Sequence, residues 1–344
     1  MTRRVRIDGK QFELDGARFR FRGVTYGTFA ARGDGEPYPE RARVKLDFTE
    51  IADAGFTVVR TYTPPPDDLV ELAADWDLHL LAGVHPLDWR YAFGTSRRQW
   101  ARLARDYIAH ARAGARRLAG AEPAFALAIG NEIPADVIRW VGARRVERVL
   151  AAAAEAVREE DDQLLVTYGT YPSTEYLATP TLDFVTCNVF LERSDEFSAY
   201  VARLQHVAGD RPLVLGELGL HVNTRADEGR QAALIEDQLR VAVERGVAGT
   251  CIFSWTDEWS VGGAPVTDWR FGLTDSTRKP RSSLAVSTRA NARDVTDLRD
   301  VWPGISVVIC AYNAVATLDE CLRHTTRLPY PQLEIIVVDD GSQD

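Results

Sequence analysis

The chain has 344 residues and a formal net charge of −9, which argues against a nucleic-acid partner or an anionic membrane surface. Its length is sufficient for one large domain plus a smaller piece, or for two domains. The N-terminal segment lacks the apolar stretch of a secretory signal, and no window approaches the roughly 20 apolar residues of a membrane span. We therefore expect a cytoplasmic protein without membrane contact, unless a longer parent chain carries an anchor elsewhere.

The chain contains four cysteines, Cys187, Cys251, Cys310 and Cys321. None belongs to a Cys-x-x-Cys pair or a Cys/His cluster, which are the spacings typical of zinc sites. We predict that all four are buried thiols and that the protein holds no metal.

Residues 4–14 alternate between apolar and polar types around Asp8-Gly9-Lys10, which predicts a hairpin before the main fold. Eight apolar runs with strand character follow, and helical patterns lie between them. The predicted strands are 19–26, 57–62, 79–85, 124–131, 164–168, 184–190, 213–217 and 249–255. The predicted helices are 44–54, 66–75, 97–119, 136–158, 196–208 and 227–245.

Alternating strands and helices predict parallel strands joined by right-handed crossovers. Eight such units within residues 1–288 fit an α/β fold, the closed (β/α)8 TIM barrel. An open doubly wound sheet is the alternative, although no Gly-rich phosphate loop follows the first strand.

The last part of the chain has a different pattern. Residues 289–302 become charged and lose strand character, which predicts a linker or a surface helix. Residues 303–344 then resume with strands at 305–310 and 333–338 around a helix at 317–323, ending in Asp339-Asp340-Gly341-Ser342. Because one βαβ unit cannot bury both faces of its own sheet, we expect that this sequence is a piece of a longer protein.

Two glutamates come at the ends of predicted strands: Glu132 follows the fourth strand and Glu217 ends the seventh. Strands four and seven face each other across a barrel, and catalytic residues lie at the C-terminal edge of its strands. Cleavage of a glycosidic bond needs such a pair, with one carboxyl protonated to release the leaving oxygen and the other ionised to attack or to activate water. The alternative for Glu132 is a solvated charge at a helix N-terminus before Pro134.

Further polar and aromatic residues lie at or just after predicted strand ends, which makes them candidates for substrate contact. They are Arg60, His85, Trp89, Asn131, Tyr168, Asn188 and Trp255. For Arg60 the alternative is a surface cation, and for Trp255 it is packing at the barrel rim. For His85, Trp89, Tyr168 and Asn188 it is packing in the core or a loop.

The ordered motifs Phe21-Arg22-Gly23-Val24, Val59-Arg60-Thr61-Tyr62, Gly130-Asn131-Glu132 and Gly216-Glu217 carry a resemblance. Over residues 15–280 the chain resembles the retaining β-glycosidases with catalytic glutamates on strands four and seven, and most closely the barrel domain of glycoside hydrolase family 2. A related β-1,3-glucanase-like family, which shares Val-Arg-Thr-Tyr and Asn-Glu, is the alternative.

This resemblance implies a retaining hydrolase or transglycosylase that acts on a β-linked oligo- or polysaccharide without a cofactor. It implies that Glu132 is the acid/base and Glu217 the nucleophile. It also implies that Arg60 orients the nucleophile, Asn131 binds the sugar 2-hydroxyl and Trp255 forms the floor of the sugar subsite.

Residues 307–313 and 335–342 resemble the opening of family 2 glycosyltransferases, which implies a nucleotide-sugar-binding unit with Asp339-Asp340 near the base and ribose. The parent chain would then also be a glycosyltransferase. This leaves two alternatives to an active glycosidase: a non-catalytic barrel that holds glycan for the transferase, or a protein-interaction module.

Overall fold

The computed structural model describes residues 4–84, 89, 96–224, 227–293 and 302–344. It divides into two compact units, 1–292 and 293–344, and each is described by itself.

The first unit begins with the predicted hairpin, which a third strand that returns along the second extends to a three-stranded antiparallel sheet. Its strands are β1 (Arg6–Asp8), β2 (Gln11–Leu14) and β3 (Ala17–Phe19).

Eight parallel strands then form a closed barrel, which confirms the predicted fold class. Every predicted barrel strand is present, and β11 pairs back onto β4 to close the ring. The strands are β4 (Phe21–Thr25), β5 (Val58–Arg60), β6 (His79–Gly83), β7 (Ala124–Asn131), β8 (Leu165–Thr170), β9 (Val185–Asn188), β10 (Leu213–Leu218) and β11 (Gly249–Ile252).

Helices alternate with these strands and cover the outside of the barrel. The helix predicted over 136–158 is divided in two at Gly142, whose φ of 93° interrupts the helical backbone. The helices are α1 (Arg41–Asp53), α2 (Asp67–Asp75), α3 (Arg97–Leu118), α4 (Ala135–Val141), α5 (Ala143–Arg158), α6 (Ser194–Ala208), α7 (Asp227–Glu244) and α8 (Ser282–Ala292).

The N-terminal sheet closes one end of the barrel. Phe12 is fully buried and packs its ring against Phe21, Phe125 and Phe184 at centroid distances of 5.7, 6.1 and 5.3 Å. Phe21 lies at the start of β4 and Phe125 near the start of β7, so this aromatic cluster fills the N-terminal mouth. The C-terminal mouth is therefore the end at which polar side chains and loops form a cavity.

A two-stranded ribbon, β12 (Ser260–Val261) and β13 (Ala264–Pro265), lies in the loop after β11. The second unit is a βαβ unit of two parallel strands, β14 (Ile305–Ala311) and β15 (Leu333–Asp339), with α9 (Leu318–Thr326) between them.

The prediction that all four cysteines are buried is wrong for two of them. Cys187 and Cys251 are buried in barrel strands, whereas Cys310 and Cys321 are exposed. The reason is that one helix on two strands leaves much of the second unit's surface uncovered: Val308 and Val338 there are also about half exposed, at 56% and 48%.

Within the described ranges, no helix has the length and apolarity needed to cross a bilayer.

Candidate active site

Both glutamates lie where a barrel strand departs from regular pairing. Strand β7 carries one extra residue relative to β8 between Ala128 and Asn131, and β10 carries one extra relative to β9 between Leu215 and Glu217. Such bulges bend a strand and redirect its side chains. Glu132 also has a left-handed φ of 47°, an unfavourable conformation for a non-glycine residue that is found most often at functional sites.

The two carboxyl groups line one cavity of about 1060 Å³ at the C-terminal mouth of the barrel. This volume is at the upper end of the range of about 300–1,000 Å³ seen for ligand pockets. Of the candidates from the sequence, Arg60, Trp89, Asn131 and Asn188 line the same cavity.

Arg60 is the centre of a buried polar network and is only 1% exposed. Its Nη2 donates to Oδ1 of Asn131 at 2.7 Å, its Nη1 donates to Oδ1 of Asn188 at 3.1 Å, and Nη1 lies 3.3 Å from Oε1 of Glu217. A guanidinium held by several acceptors is fixed in position. The interpretation of Arg60 as a surface cation is therefore wrong.

Asn188 links the two glutamates. Its Nδ2 donates to Oε1 of Glu132 at 2.8 Å and to Oδ1 of Asn131 at 3.2 Å, and a hydrogen bond from the same side chain lowers the pKa of Glu217. Because Oδ1 of Asn188 accepts from Arg60 while its Nδ2 donates to Glu132, these hydrogen bonds fix the orientation of the amide group. The carboxyl groups thus belong to one network although they lie 85 positions apart in the sequence.

Glu217 is the more deeply buried carboxyl, at 6% exposure, and the hydroxyl of Tyr62 donates to its Oε1 at 2.7 Å. Burial raises the pKa of Glu217 to about 7 and the charge of Glu132 adds to this, while Arg60, Tyr62 and Asn188 act in the opposite direction. Near neutral pH the Glu217 carboxyl therefore changes between its protonated and ionised forms.

Two glycines let this network pack closely against the strands. A Cβ on Gly216 would lie 2.7 Å from Nη1 of Arg60 and 2.8 Å from Oδ1 of Asn188, and one on Gly169 would lie 3.2 Å from Nη2 of Arg60. Real Cβ atoms do not approach other atoms within 3.0 Å, so a side chain at position 216 must displace Arg60 and Asn188. At position 169 the nearest atom is Oδ1 of Asn131, so a side chain there must displace the amide that Arg60 holds.

We therefore expect Gly216→Ala to lower the activity of the site and to destabilise the fold by about 1–3 kcal/mol, the usual cost of overpacking. The control is Gly229→Ala in α7, where an added Cβ meets no atom within 4 Å. Thermal unfolding and turnover of a chromogenic glycoside measure the two effects. If the two variants had the same unfolding temperature and the same turnover, the Arg60 network would tolerate displacement.

Three of the candidates from the sequence are not placed in the cavity. Tyr168 is buried beside it, and its hydroxyl accepts from the backbone N–H of Ile133 at 2.9 Å, so it supports the segment that carries Glu132. Trp255 is fully buried in the core cluster that also holds Phe48 of α1, and it does not line the cavity. His85 lies outside the described residues.

The structure adds an aromatic wall that was not predicted as a unit. The ring of Phe253 lies 4.9 Å from that of Trp259 and 5.3 Å from that of Phe271, and Trp259 lies 5.8 Å from Trp269. Phe190 joins this group at 6.0 Å from Phe253. Four of the five rings come from positions 253–271 after β11, where the density of aromatic residues was the available signal.

The cavity brings ionisable, hydrogen-bonding and aromatic groups together. Among the residues that the structure describes, no group of three or more His, Cys, Asp or Glu side chains is arranged to hold a metal ion. The chemical groups present are two carboxyls, a guanidinium, two amides, three phenols and a set of aromatic rings.

Comparison with known proteins gives separate matches for the two units. The structure is similar to that of Ruminococcus gnavus β-glucuronidase, with a TM-score of 0.69 and 18% identity over 84% of this chain and 53% of that chain. It is also similar to a GH2 β-galacturonidase from Eisenbergiella tayi bound to galacturonate, with a TM-score of 0.70 and 16% identity over 84% of this chain and 54% of that chain. At these identities the likeness shows the shared barrel fold, and this chain spans about half the length of each neighbour.

Residues 306–344 match the family model for glycosyl transferase family 2. An uncharacterized glycosyltransferase of Haemophilus influenzae is 48% identical over 42 residues, which are 12% of this chain and 13% of that protein. The second unit is thus similar to a short segment of a glycosyltransferase, whereas the barrel has its likeness among glycosidase structures.

Proposed function

We propose that the barrel is a retaining glycosidase that acts on a β-linked glycan by double displacement. The observation that carries this proposal is the pair Glu132 and Glu217. They enter one cavity from β7 and β10, which have two strands between them in the ring, and they are joined through Asn188. The barrel fold shared with two glycosidase structures supports it, and so does the resemblance of the strand-end motifs to β-glycosidases.

The surroundings of the two carboxyls support a different role for each. Glu217 is held by Arg60 and Tyr62 and is nearly inaccessible, as suits a nucleophile that must be fixed and ionised at the moment of attack. Glu132 is partly exposed and so can exchange protons with solvent, as a general acid and base must.

In the first step an oxygen of Glu217 forms a bond to the anomeric carbon while the bond to the leaving oxygen breaks and Glu132 gives that oxygen its proton. In the second step Glu132 takes a proton from water or from an acceptor hydroxyl, whose oxygen displaces Glu217 from the same carbon. Water gives hydrolysis and a sugar hydroxyl gives transglycosylation, and both retain the anomeric configuration.

The other cavity residues fit substrate binding. Asn131 is held by Arg60 and Asn188 beside the acid/base, where its amide can bind a sugar hydroxyl next to the reacting carbon. The aromatic wall offers ring faces on which the apolar face of a pyranose stacks. In this proposal Trp259 and Phe253 take the stacking role that the family resemblance implied for Trp255.

A panel of aryl β-glycosides and β-linked oligosaccharides tests the proposal, with the anomer formed first identified by NMR. We expect cleavage of at least one β-linked substrate with release of the β-anomer. Release of the α-anomer would mean inversion and would exclude a covalent intermediate on Glu217.

The pH profile provides a second test. Because Glu217 must be ionised to attack and its pKa is about 7, we expect kcat/KM to fall as the pH drops below about 7.

Tyr62→Phe removes a hydrogen bond that favours the ionised carboxyl, so it should move this acidic limb of the pH profile to higher pH. Glu132→Gln removes the neighbouring charge that disfavours ionisation, so it should move the limb to lower pH, as measured on a substrate whose leaving group needs no proton. Shifts in the same direction for both variants would contradict the assignment of this limb to Glu217.

The alternative is a barrel that binds glycan for an attached glycosyltransferase without cleaving it. The match of residues 306–344 to glycosyl transferase family 2 favours this context. A binding role needs the cavity and its aromatic wall but not two carboxyls in one network. It predicts that the wild type binds oligosaccharides and cleaves none of the panel.

A further inference from the structure

A second depression of about 720 Å³ adjoins the proposed catalytic cavity. It is lined by His221 and Asn223, which follow β10, and by residues 267–271, which follow β13. Trp269 and Phe271 line both the depression and the catalytic cavity. The two are therefore consecutive parts of one cleft.

The walls of this outer depression are tied together by hydrogen bonds. Val222 N–H donates to the carbonyl of Arg270 at 2.8 Å, and Nη1 of Arg270 donates to the carbonyl of Asn223 at 3.4 Å. His221 bonds through Nε2 to the carbonyl of Asp268, and its ring lies 5.2 Å from that of Phe271. The depression is thus formed before any ligand binds, which lowers the entropic cost of binding.

Trp269 has an unusual position for a residue of its size. It is 42% exposed, although its ring also reaches Trp259 of the aromatic wall at 5.8 Å. Together with the aromatic wall this ring forms a contiguous apolar surface, and such a surface bordered by polar groups is typical of a ligand-binding site. Here the polar groups are His221, Asn223 and Arg270, which can bond the hydroxyls of a sugar whose apolar face stacks on the indole.

We propose that this depression is an outer subsite for the glycan chain that is cleaved in the catalytic cavity. The inference rests on the proposed function and deepens it, because the barrel then binds several consecutive sugar units and selects an oligo- or polysaccharide over a single terminal sugar. Trp269 is the shared ring at which the chain passes from one part of the cleft to the other.

Binding to the Glu217→Gln protein tests this without turnover. Isothermal titration would use β-1,4- and β-1,3-linked gluco-oligosaccharides of two to six units. We expect affinity to rise with length, and we expect Trp269→Ala and His221→Ala, each in the same background, to weaken binding of the longest oligosaccharide at least tenfold and to flatten the dependence on length. Trp140→Ala is the matched control, since Trp140 is an exposed tryptophan, at 65%, that lines neither part of the cleft.

Any of three results would overturn the outer subsite. They are an affinity that does not depend on oligosaccharide length, the same length dependence in all three variants, and no binding of any oligosaccharide. Turnover of aryl β-glycosides by the wild type reports separately on the proposed function. If aryl glycosides are cleaved but the three variants bind alike, only the outer subsite fails. If length-dependent binding is lost in Trp269→Ala and no β-glycoside is cleaved, the subsite stands and the catalytic proposal fails.

Discussion

Glu217→Ala should lose turnover of an activated aryl β-glycoside by about 10⁵-fold or more, because removal of the nucleophile removes the covalent pathway itself. The reaction should return when azide is added, since the anion fits the space left by the carboxylate and attacks the anomeric carbon directly. One displacement inverts the centre, so the expected product is an α-glycosyl azide. NMR of that product checks the prediction.

The matched control for this change is Glu258→Gln. Glu258 also follows a barrel strand and pairs with Arg278 at 2.7 Å, but it does not line the cavity. Its substitution should leave turnover within a factor of a few. A Glu217→Ala protein that retains folding and near wild-type turnover would refute the nucleophile assignment.

Glu132→Ala should show a loss that depends on the leaving group. For a poor leaving group such as an unactivated sugar alcohol, we expect a fall in kcat/KM of about 10²–10⁴-fold, which is the usual contribution of a general acid. For a dinitrophenyl leaving group, which departs without a proton, the first step should be nearly unaffected and the glycosyl-enzyme should accumulate. Azide should then release a β-glycosyl azide, the opposite anomer to that from Glu217→Ala.

A plot of log kcat/KM against leaving-group pKa measures this directly. It should be steep for Glu132→Ala and shallow for the wild type. Equal slopes would show that Glu132 does not protonate the leaving oxygen. The same glycosyl azide anomer from Glu132→Ala and Glu217→Ala would contradict the assignment of different catalytic roles to the two glutamates.

The barrel could be predicted from the sequence because its signals are local. The clearest buried parallel strands are uninterrupted apolar runs, as in residues 124–129, and the segments between strands repeat apolar residues at helical spacing. The positions of Glu132 and Glu217 follow from the same logic, since a polar residue directly after such a run lies at the mouth of the barrel.

The partners within the site could not be predicted in the same way, because they depend on contacts between distant strands. Nothing in the sequence around Asn188 indicates that it joins Glu132 to Arg60 and Glu217, or that Tyr62 donates to Glu217. The raised pKa of Glu217 also depends mainly on burial, which only the closed barrel creates.

Trp255 shows the limit of reading residues beyond a strand end. The chain after β11 continues to follow β4, with Trp255 N–H donating to the carbonyl of Thr25 at 2.9 Å, and the indole lies in the core shared with the helices. Phe253, two residues earlier, lines the cavity instead. Once regular pairing ends, sequence spacing no longer decides which side chain faces the substrate.

Covalent trapping tests the central claim most directly. A 2-fluoro β-glycoside with an activated leaving group slows both displacement steps but the second more, so a glycosyl-enzyme accumulates and its peptides can be sequenced by mass spectrometry. With the glycone of a cleaved substrate, we expect one added sugar on the peptide that contains Glu217, and no added sugar in Glu217→Gln. A label on any other residue, or inactivation without a covalent adduct, would contradict the proposed catalytic pair.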